Sequence, residues 1–397
     1  MTRDPLSIYV HIPFCTLKCS YCDFNSYAGI EELMTPFVDA LCAEIEAWGR
    51  VADGRPVPTI FFGGGTPSLL PLREAERIIA ALRDSFAFTR DAEVSFEANP
   101  GTVDPDYLRG LVALGVNRLS FGVQSFHDDE LAALDRIHSA EEARQGYRWA
   151  REAGFRRINL DLIYGLSGQP LERWKSTLDE AIALAPEHLS LYALTAEEGT
   201  KLAYDIDHGR VAEPDADAQA ALYEWSMDRL AATDYRQYEI SNWALPGEEC
   251  RHNLVYWHNG EWLGLGPGAH SHWAGFRFAN VYSPKQYIER MKTAGTASGD
   301  PANAAEVLDS MPHVTFRDPQ ARATAMADTA ILALRLNAGL DLAEFRRRFE
   351  REFDDVYAPV LADLSSHGLL ERDDGTLRLT RRGRLLANEV FVRLLPE

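Results

Sequence analysis

The chain has 397 residues, 46% of them hydrophobic, with 40 Lys and Arg against 60 Asp and Glu for a net charge of −20. That length supports one large and one smaller domain, each with a real core; the acidity repels phosphate backbones and argues against a nucleic-acid-binding function. There is no apolar run long enough to span a bilayer, and the N-terminal MTRDPLSIYVHIPF lacks the apolar core of a signal peptide, so the expected location is the cytoplasm, where thiols stay reduced and free to bind metal.

The first half of the chain alternates strand-like and helix-like segments. Leu6–Pro13 reads as a strand, and 36–50 shows helical apolar spacing at Phe37, Leu41, Ile45 and Trp48. Thr59–Gly64 reads as a buried strand followed by a helix near 72–86, and Glu93–Pro100 as a strand followed by a helix over 105–114. Arg118–Ser125 pairs with a helix over 140–153, and Arg157–Gly165 with one over 171–185; His188–Thr195 closes the series. Six near-continuous apolar strands with helical crossovers predict a parallel sheet covered by helices, in the form of a partial (β/α)6 TIM-type barrel within the α/β class. Chemistry in such folds gathers beyond the C-terminal ends of the strands. The unusual residues fall at those ends: the cysteines, Gly63 to Thr66, Glu97, Gln124 and Asp161.

A helix is expected over 215–232 and Gly/aromatic-rich β segments over 237–280. The remainder is mainly helical and ends in a hairpin at Asp373-Asp374-Gly375 with a last helix, a small winged-helix-like module. The expected domains are therefore a core barrel over 1–235, a β-rich extension over 236–303 and a C-terminal domain over 304–397.

Cys15, Cys19 and Cys22 have the spacing CxxxCxxC. Three thiolates on one loop can hold three irons of a [4Fe–4S] cube and leave the fourth iron without a protein ligand, open to a small molecule. Two other readings of the same spacing are a buried helix face and a zinc site completed by His11. Pro13 and the preceding strand favour a loop over a helix. Cys42, on the first apolar helix, and Cys250 read as ordinary thiols.

On these residues the sequence becomes recognisable. YVHIPFCTLKCSYCDF, followed in order by FFGGGTPSLL, SFEANPGT, SFGVQSF and NLDLIYGLSGQ, resembles the radical S-adenosylmethionine (SAM) superfamily. Within it, the chain is similar to the oxygen-independent coproporphyrinogen III oxidases (HemN) and their relatives, the HemW heme chaperones. The resemblance covers nearly the whole chain. It implies a SAM-binding [4Fe–4S] cluster and SAM contacts at Tyr9, Tyr21, Gly64, Gly65, Thr66, Glu97, Gln124, Arg136 and Asp161. Glycines at 63–65 let a ligand approach bare backbone. Glu97 can accept hydrogen bonds from the ammonium or ribose of SAM, although a capping role would also suit it, and Asp161 within an apolar strand needs a ligand or a cationic partner. The resemblance further implies reductive cleavage of SAM to methionine and a 5′-deoxyadenosyl radical inside a shielded barrel mouth.

Two departures separate the branches. The oxidases carry another cysteine two residues after the third cluster cysteine, where this chain has Phe24, and they have a longer N-terminal arm, whereas here the first cluster cysteine already stands at position 15. The motif His252-Asn253-Leu-Val-Tyr256-Trp257 is similar to one in the heme-chaperone branch; imidazole is a good axial iron ligand, and Tyr and Trp pack a flat macrocycle. His252 is thus the heme-binding candidate, with His270 and His272 as rivals. The expected function is a heme chaperone in porphyrin metabolism that binds heme and passes it to an acceptor hemoprotein, served by a flavodoxin- or ferredoxin-like or NADH-linked reductant, as a monomer or dimer. The alternatives are coproporphyrinogen III oxidation and a winged-helix DNA binder using Arg378, Arg381, Arg382 and Arg384.

Overall fold

The computed structural model describes residues 4–292 and 303–396. Six parallel strands, β1 (Ser7–Ile12), β2 (Pro56–Gly64), β3 (Ala87–Ala98), β4 (Arg118–Gln124), β5 (Ile158–Tyr164) and β6 (His188–Ala193), lie side by side in chain order. The sheet is open, as a partial barrel is. On its other edge β1 pairs in parallel with β7 (Trp262–Leu265), which continues antiparallel into β8 (His270–Trp273) and β9 (Phe276–Asn280) and on to β10 (Val314–Pro319). The fold is the α/β architecture expected, with longer β2 and β3 and two additional short helices, Asp128–Ala133 and Lys201–Asp207.

The helices follow from local chemistry. The helix Met34–Ala52 buries Phe37, Leu41, Ile45 and Trp48, the stripe its sequence shows, and ends at Asp53 in the left-handed region (φ 49°). Ala140–Ala153 starts with a capping box between Ser139 and Glu142 and stops at Gly154 with φ 106°. Asp104 caps Pro105–Ala113, with Pro105 in the first turn, where its missing N–H costs nothing.

The strands differ from the continuous apolar runs expected of them. They alternate. Leu119, Phe121, Leu160, Leu162, Leu189 and Leu191 are all buried on one side, and Phe121 lies against Gly146 of the helix 140–153. The opposite side carries hydrogen-bonded polar groups. Thr59 Oγ1 donates to Ser7 Oγ at 2.8 Å, and Arg118 lies 3.6 Å from Glu93 with both nearly fully buried. Asn159 joins its neighbours on three strands: its Nδ2 donates to Ser120 Oγ at 2.8 Å, and its Oδ1 faces Ser190 Oγ at 3.1 Å and His188 Nδ1 at 2.7 Å. Side chains i and i+2 on a strand share a face, so two residues per strand suffice to build this polar interior.

The chain forms two compact units, Met1–Ser226 with Glu261–Asp318, and Met227–Gly260 with Pro319–Glu397. The expected extension over 236–303 is therefore not one piece. Its second part enters the first unit by strand pairing with β1, whereas Met227–Gly260 belongs with the C-terminal residues; 293–302 lie outside the described residues. The second unit has helices at Arg322–Arg335, Leu342–Phe349 and Phe353–Ser366 followed by the hairpin Leu370–Asp373 and Thr376–Leu379, with Leu340–Asp341 as a third strand. Phe345, Phe353, Leu364, Val390 and Leu394 form its core. Its surface arginines are engaged: Arg381 forms a two-pronged pair with Asp228, and Arg378 lies 3.6 Å from Asp373. The motif expected in a β segment is helical instead, over Arg251–Trp257. In that helix His252 and Tyr256 are one turn apart and meet, a spacing that a strand would have placed on one face but two pairs away.

Candidate functional site

At the C-terminal ends of β1 to β6 lies a cavity of about 330 Å³. Its wall brings together Cys15, Cys19, Cys22, Tyr21, Gly64, Gly65, Thr66, Glu97, Gln124, Arg136 and Asp161, residues up to about 146 positions apart in the chain. The cysteine loop leaves β1 and is stitched to the glycine turn after β2: Gly65 N donates to Ile12 O at 2.7 Å and Thr66 N to Phe14 O at 2.8 Å. Gly64 has φ 112°, and a Cβ there would stand 2.5 Å from the His11 ring, so only glycine fits.

The three thiols sit half-buried on this loop. Cys15 Sγ lies 3.6 Å from Thr66 Oγ1, Cys19 Sγ 3.6 Å from both Asp135 O and an Arg136 guanidinium nitrogen, and Cys22 Sγ 4.0 Å from Ser26 Oγ. Burial raises the Cys22 pKa. Among the described residues no three His, Cys, Asp or Glu side chains converge on one metal-ion position. A cube of iron and sulfide takes one thiolate per iron and so needs its ligands set around a larger body, and a thiol trio on one short loop beside an open cavity fits such a group. His11 does not complete a zinc site: its Nε2 faces Asn25 O at 2.8 Å and its Nδ1 faces the Tyr9 hydroxyl at 3.0 Å, so both ring nitrogens are engaged.

Opposite the thiols stand two carboxylates. Glu97 accepts from Gly64 N at 3.2 Å; burial, reinforced by the charge of Asp161, pushes its pKa up to about 8. Asp161 is raised by burial too, partly offset by Ser120 Oγ and Asn159 Nδ2, each donating at 2.9 Å. Arg136 donates to Gly122 O at 2.7 Å and leaves its Nε buried with no partner. Gln124 ends β4 in the left-handed region (φ 68°) just past a register shift, which turns it toward the cavity. Two buried carboxylates with only one cation near them form a site short of positive charge, suited to an ammonium or to hydroxyl donors.

Two of the expected residues lie elsewhere. Tyr9 is not in the cavity wall; its ring stacks on Phe61, with centroids 6.4 Å apart, and its hydroxyl bonds His11. His252 lies in the second unit, buried, with Nε2 2.8 Å from the Tyr256 hydroxyl; burial lowers its pKa to about 3. The neighbouring Trp257 carries the Arg335 guanidinium 4.4 Å above its ring. The strand interior that supports Asp161, namely Ser120, Asn159 and His188, was overlooked from sequence. Its signal was present in the polar-apolar alternation of RLSFGVQ, INLDLIY and HLSLYA. The exposed apolar side chains at the mouth, Leu17, Phe24, Ile137 and Tyr192, carry no periodic signal because they belong to loops and strand ends.

The model of the Radical SAM superfamily matches residues 9–181, and that of the HemN C-terminal domain matches residues 321–386. A protein described as heme chaperone HemW from Mycobacterium tuberculosis (strain H37Rv) is 39% identical over 100% of this chain and 96% of its own length. One from Bacillus subtilis is 36% identical over 98% of this chain and 99% of its own. The solved structure of the Escherichia coli coproporphyrinogen III oxidase HemN, described as a radical SAM enzyme, superposes with a TM-score of 0.83 at 27% identity, covering 99% of this chain and 91% of that one. The fold and its cavity are of the radical SAM class. The chain belongs to the HemW family within that superfamily, and membership implies an iron–sulfur cluster and SAM as cofactors. Among the described residues no helix is long and apolar enough to cross a membrane.

Proposed function

We propose that this protein is a cytoplasmic heme chaperone that binds heme and hands it to an acceptor hemoprotein, with Cys15, Cys19 and Cys22 ligating a [4Fe–4S] cluster whose fourth iron binds SAM. The observation that carries the reading is the shared cavity, in which three thiols of one loop face two buried carboxylates in a chain similar to HemW proteins along its whole length. When bound, the reduced cluster supplies one electron to the sulfonium of SAM. Glu97 and Asp161 would receive the ammonium and hydroxyl donors of the cosubstrate, and a cation held near Glu97 would favour its ionised form. Gly64 and Gly65 offer bare backbone, and Arg136, held on the Gly122 carbonyl, keeps a cation beside Cys19 and Tyr21. Leu17 and Ile137 are exposed apolar side chains at the mouth. Ligation of heme iron by His252 would require the helix 251–257 to give up the Tyr256 hydrogen bond and expose the imidazole.

The test is anaerobic reconstitution, with iron and sulfide counted per chain, hemin titration followed in the Soret region, and assay of SAM cleavage and of protoporphyrinogen formation. The reading expects a cluster, a Soret band and no protoporphyrinogen. Turnover of coproporphyrinogen would replace it with the oxidase function; material holding zinc in place of iron would remove the cluster from it.

A further inference from the structure

Resting on the cluster reading above, we infer that Glu44 is a positioning residue for the iron–sulfur site. From the first helix it locks the turn Gly266–Gly268, and that turn seats Asn25 and with it the cysteine loop. Glu44 is charged among the otherwise apolar buried positions of the helix Met34–Ala52 and has no exposure to solvent. Such a carboxylate is costly unless donors surround it. Here they do. Oε2 accepts from Gly266 N at 2.7 Å and from the hydroxyl of Tyr287 on the helix Pro284–Lys292. Oε1 accepts from Asn280 Nδ2 at 2.8 Å, and Nε2 of the buried His313 lies 3.0 Å from it. Asn280 Nδ2 also donates to Gly266 O at 2.9 Å. Gly266 is therefore held at its N–H and at its carbonyl by two side chains that are bonded to each other.

The locked turn bears directly on the cysteine loop. A Cβ at Gly268, whose φ is 73°, would stand 2.4 Å from Asn25 Nδ2, so the loop rests on bare backbone. Asn25 is gripped at three points. Its Nδ2 donates to Pro267 O at 3.0 Å and to Tyr282 O at 2.9 Å, and its carbonyl faces His11 Nε2 at 2.8 Å.

This grip matters for one thiol above all. Cys15 Sγ has Thr66 at 3.6 Å, and Cys19 Sγ has Asp135 and Arg136 at 3.6 Å, all on other segments of the chain. Cys22 Sγ has Ser26 Oγ at 4.0 Å, a residue of its own loop. Asn25 follows Cys22 by three residues and directly precedes Ser26, so its anchorage sets where Cys22 stands. Groups behind a metal ligand orient it, and losing them typically costs about 10- to 100-fold in metal affinity. Glutamine at position 44 has the shape of glutamate but sets an N–H against donors. Asn280 cannot turn round to accept it without releasing the Gly266 carbonyl.

The experiment is anaerobic reconstitution of the full chain as wild type, Glu44→Gln, Asn280→Ala, Asn25→Ala, Glu44→Gln with Asn25→Ala, and Trp174→Phe, with circular dichroism for folding. Trp174→Phe removes the buried bond from Trp174 Nε1 to Ser226 Oγ and so weakens the protein away from the loop. Iron and sulfide are counted per chain, iron loss to EDTA is timed, and the electron paramagnetic resonance spectrum of the dithionite-reduced cluster is recorded. Each single variant along the path from Glu44 to Asn25 is expected to lose iron about tenfold faster than wild type and to shift the spectrum. The double variant is expected to be no faster than the faster single, because both cut one path. Trp174→Phe is expected to match wild type in rate and spectrum. Wild-type behaviour in the folded single variants, a multiplied rate in the double variant, or equal acceleration in Trp174→Phe would overturn the positioning role and leave the cluster reading intact. Should Glu44→Gln fail to fold, Asn280→Ala tests the lock and Asn25→Ala the seat by the same criteria. A wild type that takes up no iron and sulfide would overturn both.

Discussion

The cavity end of the parallel sheet and the C-terminal unit are built to different standards. At the cavity, Glu97 and Asp161 are buried with raised pKa values, Gln124 holds a left-handed backbone, and Arg136 keeps a buried nitrogen without a partner. In the C-terminal unit Asp341 caps Leu342–Phe349 with two backbone contacts, Thr380 caps the short helix Arg381–Leu385, and an apolar cluster packs around Phe345, Phe353 and Leu364. Both regions come from one chain under the same selection for folding. The C-terminal unit buries a carboxylate too, Glu239, its pKa raised by desolvation, but there Asn242 Nδ2, Ser241 N and the Arg335 guanidinium meet it, whereas the cavity's carboxylates border a space that a ligand can fill.

The comparison can be broken outright at the thiols. Replacing Cys19 by Ala is expected to drop iron and sulfide after reconstitution below about a tenth of the wild-type content, since an open cube cannot lose one of three ligands and stay bound; near-normal iron would show that the cavity was built for another group. On the other side, Phe353→Ala should cost about 3–5 kcal/mol in denaturant unfolding, because a fully buried ring packed on Phe345 and Tyr357 leaves a void. A cost below about 1 kcal/mol would mean that this core is not close-packed.

Glu97 sharpens the contrast. Its pKa rises from 4.5 to about 8 on folding, so the folded state holds a proton that the unfolded state has released between those values. Its contribution to stability is full below pH 4.5 and is lost as pH climbs toward 8. Glu97→Gln should flatten that slope in ligand-free protein and weaken SAM binding roughly ten- to a hundredfold, on the order of 1–3 kcal/mol. A slope that survives the substitution would place the proton elsewhere. The smallest effect is expected at Thr380, whose hydroxyl accepts from Gly383 N at 2.9 Å and donates to Gly368 O at 2.7 Å. Thr380→Ala should cost about 1 kcal/mol in the same unfolding measurement and leave SAM binding as it was.

Much of this was legible in the sequence because it is written in periods and short spacings. The stripe at Phe37, Leu41, Ile45 and Trp48 gave a helix, and the run from Cys15 to Cys22 gave three donors on one loop. The gathering of Glu97, Gln124 and Asp161 followed from strand ends meeting at one rim of a parallel sheet. What was missed depends on tertiary neighbours. The helical state of Arg251–Trp257 overrides a β-branched and aromatic composition, with Arg335 packed on Trp257 and His252 bonded to Tyr256. The split of the segment 236–303 between two units rests on β7 pairing with a strand some 250 residues earlier, which no local pattern encodes. Tyr9, given as a SAM contact by resemblance, is not in the cavity wall, and its hydroxyl lies 3.0 Å from His11 Nδ1.

The polar interior of the strands has a thermodynamic corollary. Ser120 and Asp161 line the chamber, with Asn159 and His188 bonded behind them, so its guest meets fixed polar partners among walls that also include Ile163, Tyr192 and Leu194. Uptake of a zwitterionic cosubstrate should then register in a calorimeter as a favourable enthalpy from the polar partners together with a negative heat-capacity change from the apolar wall it covers.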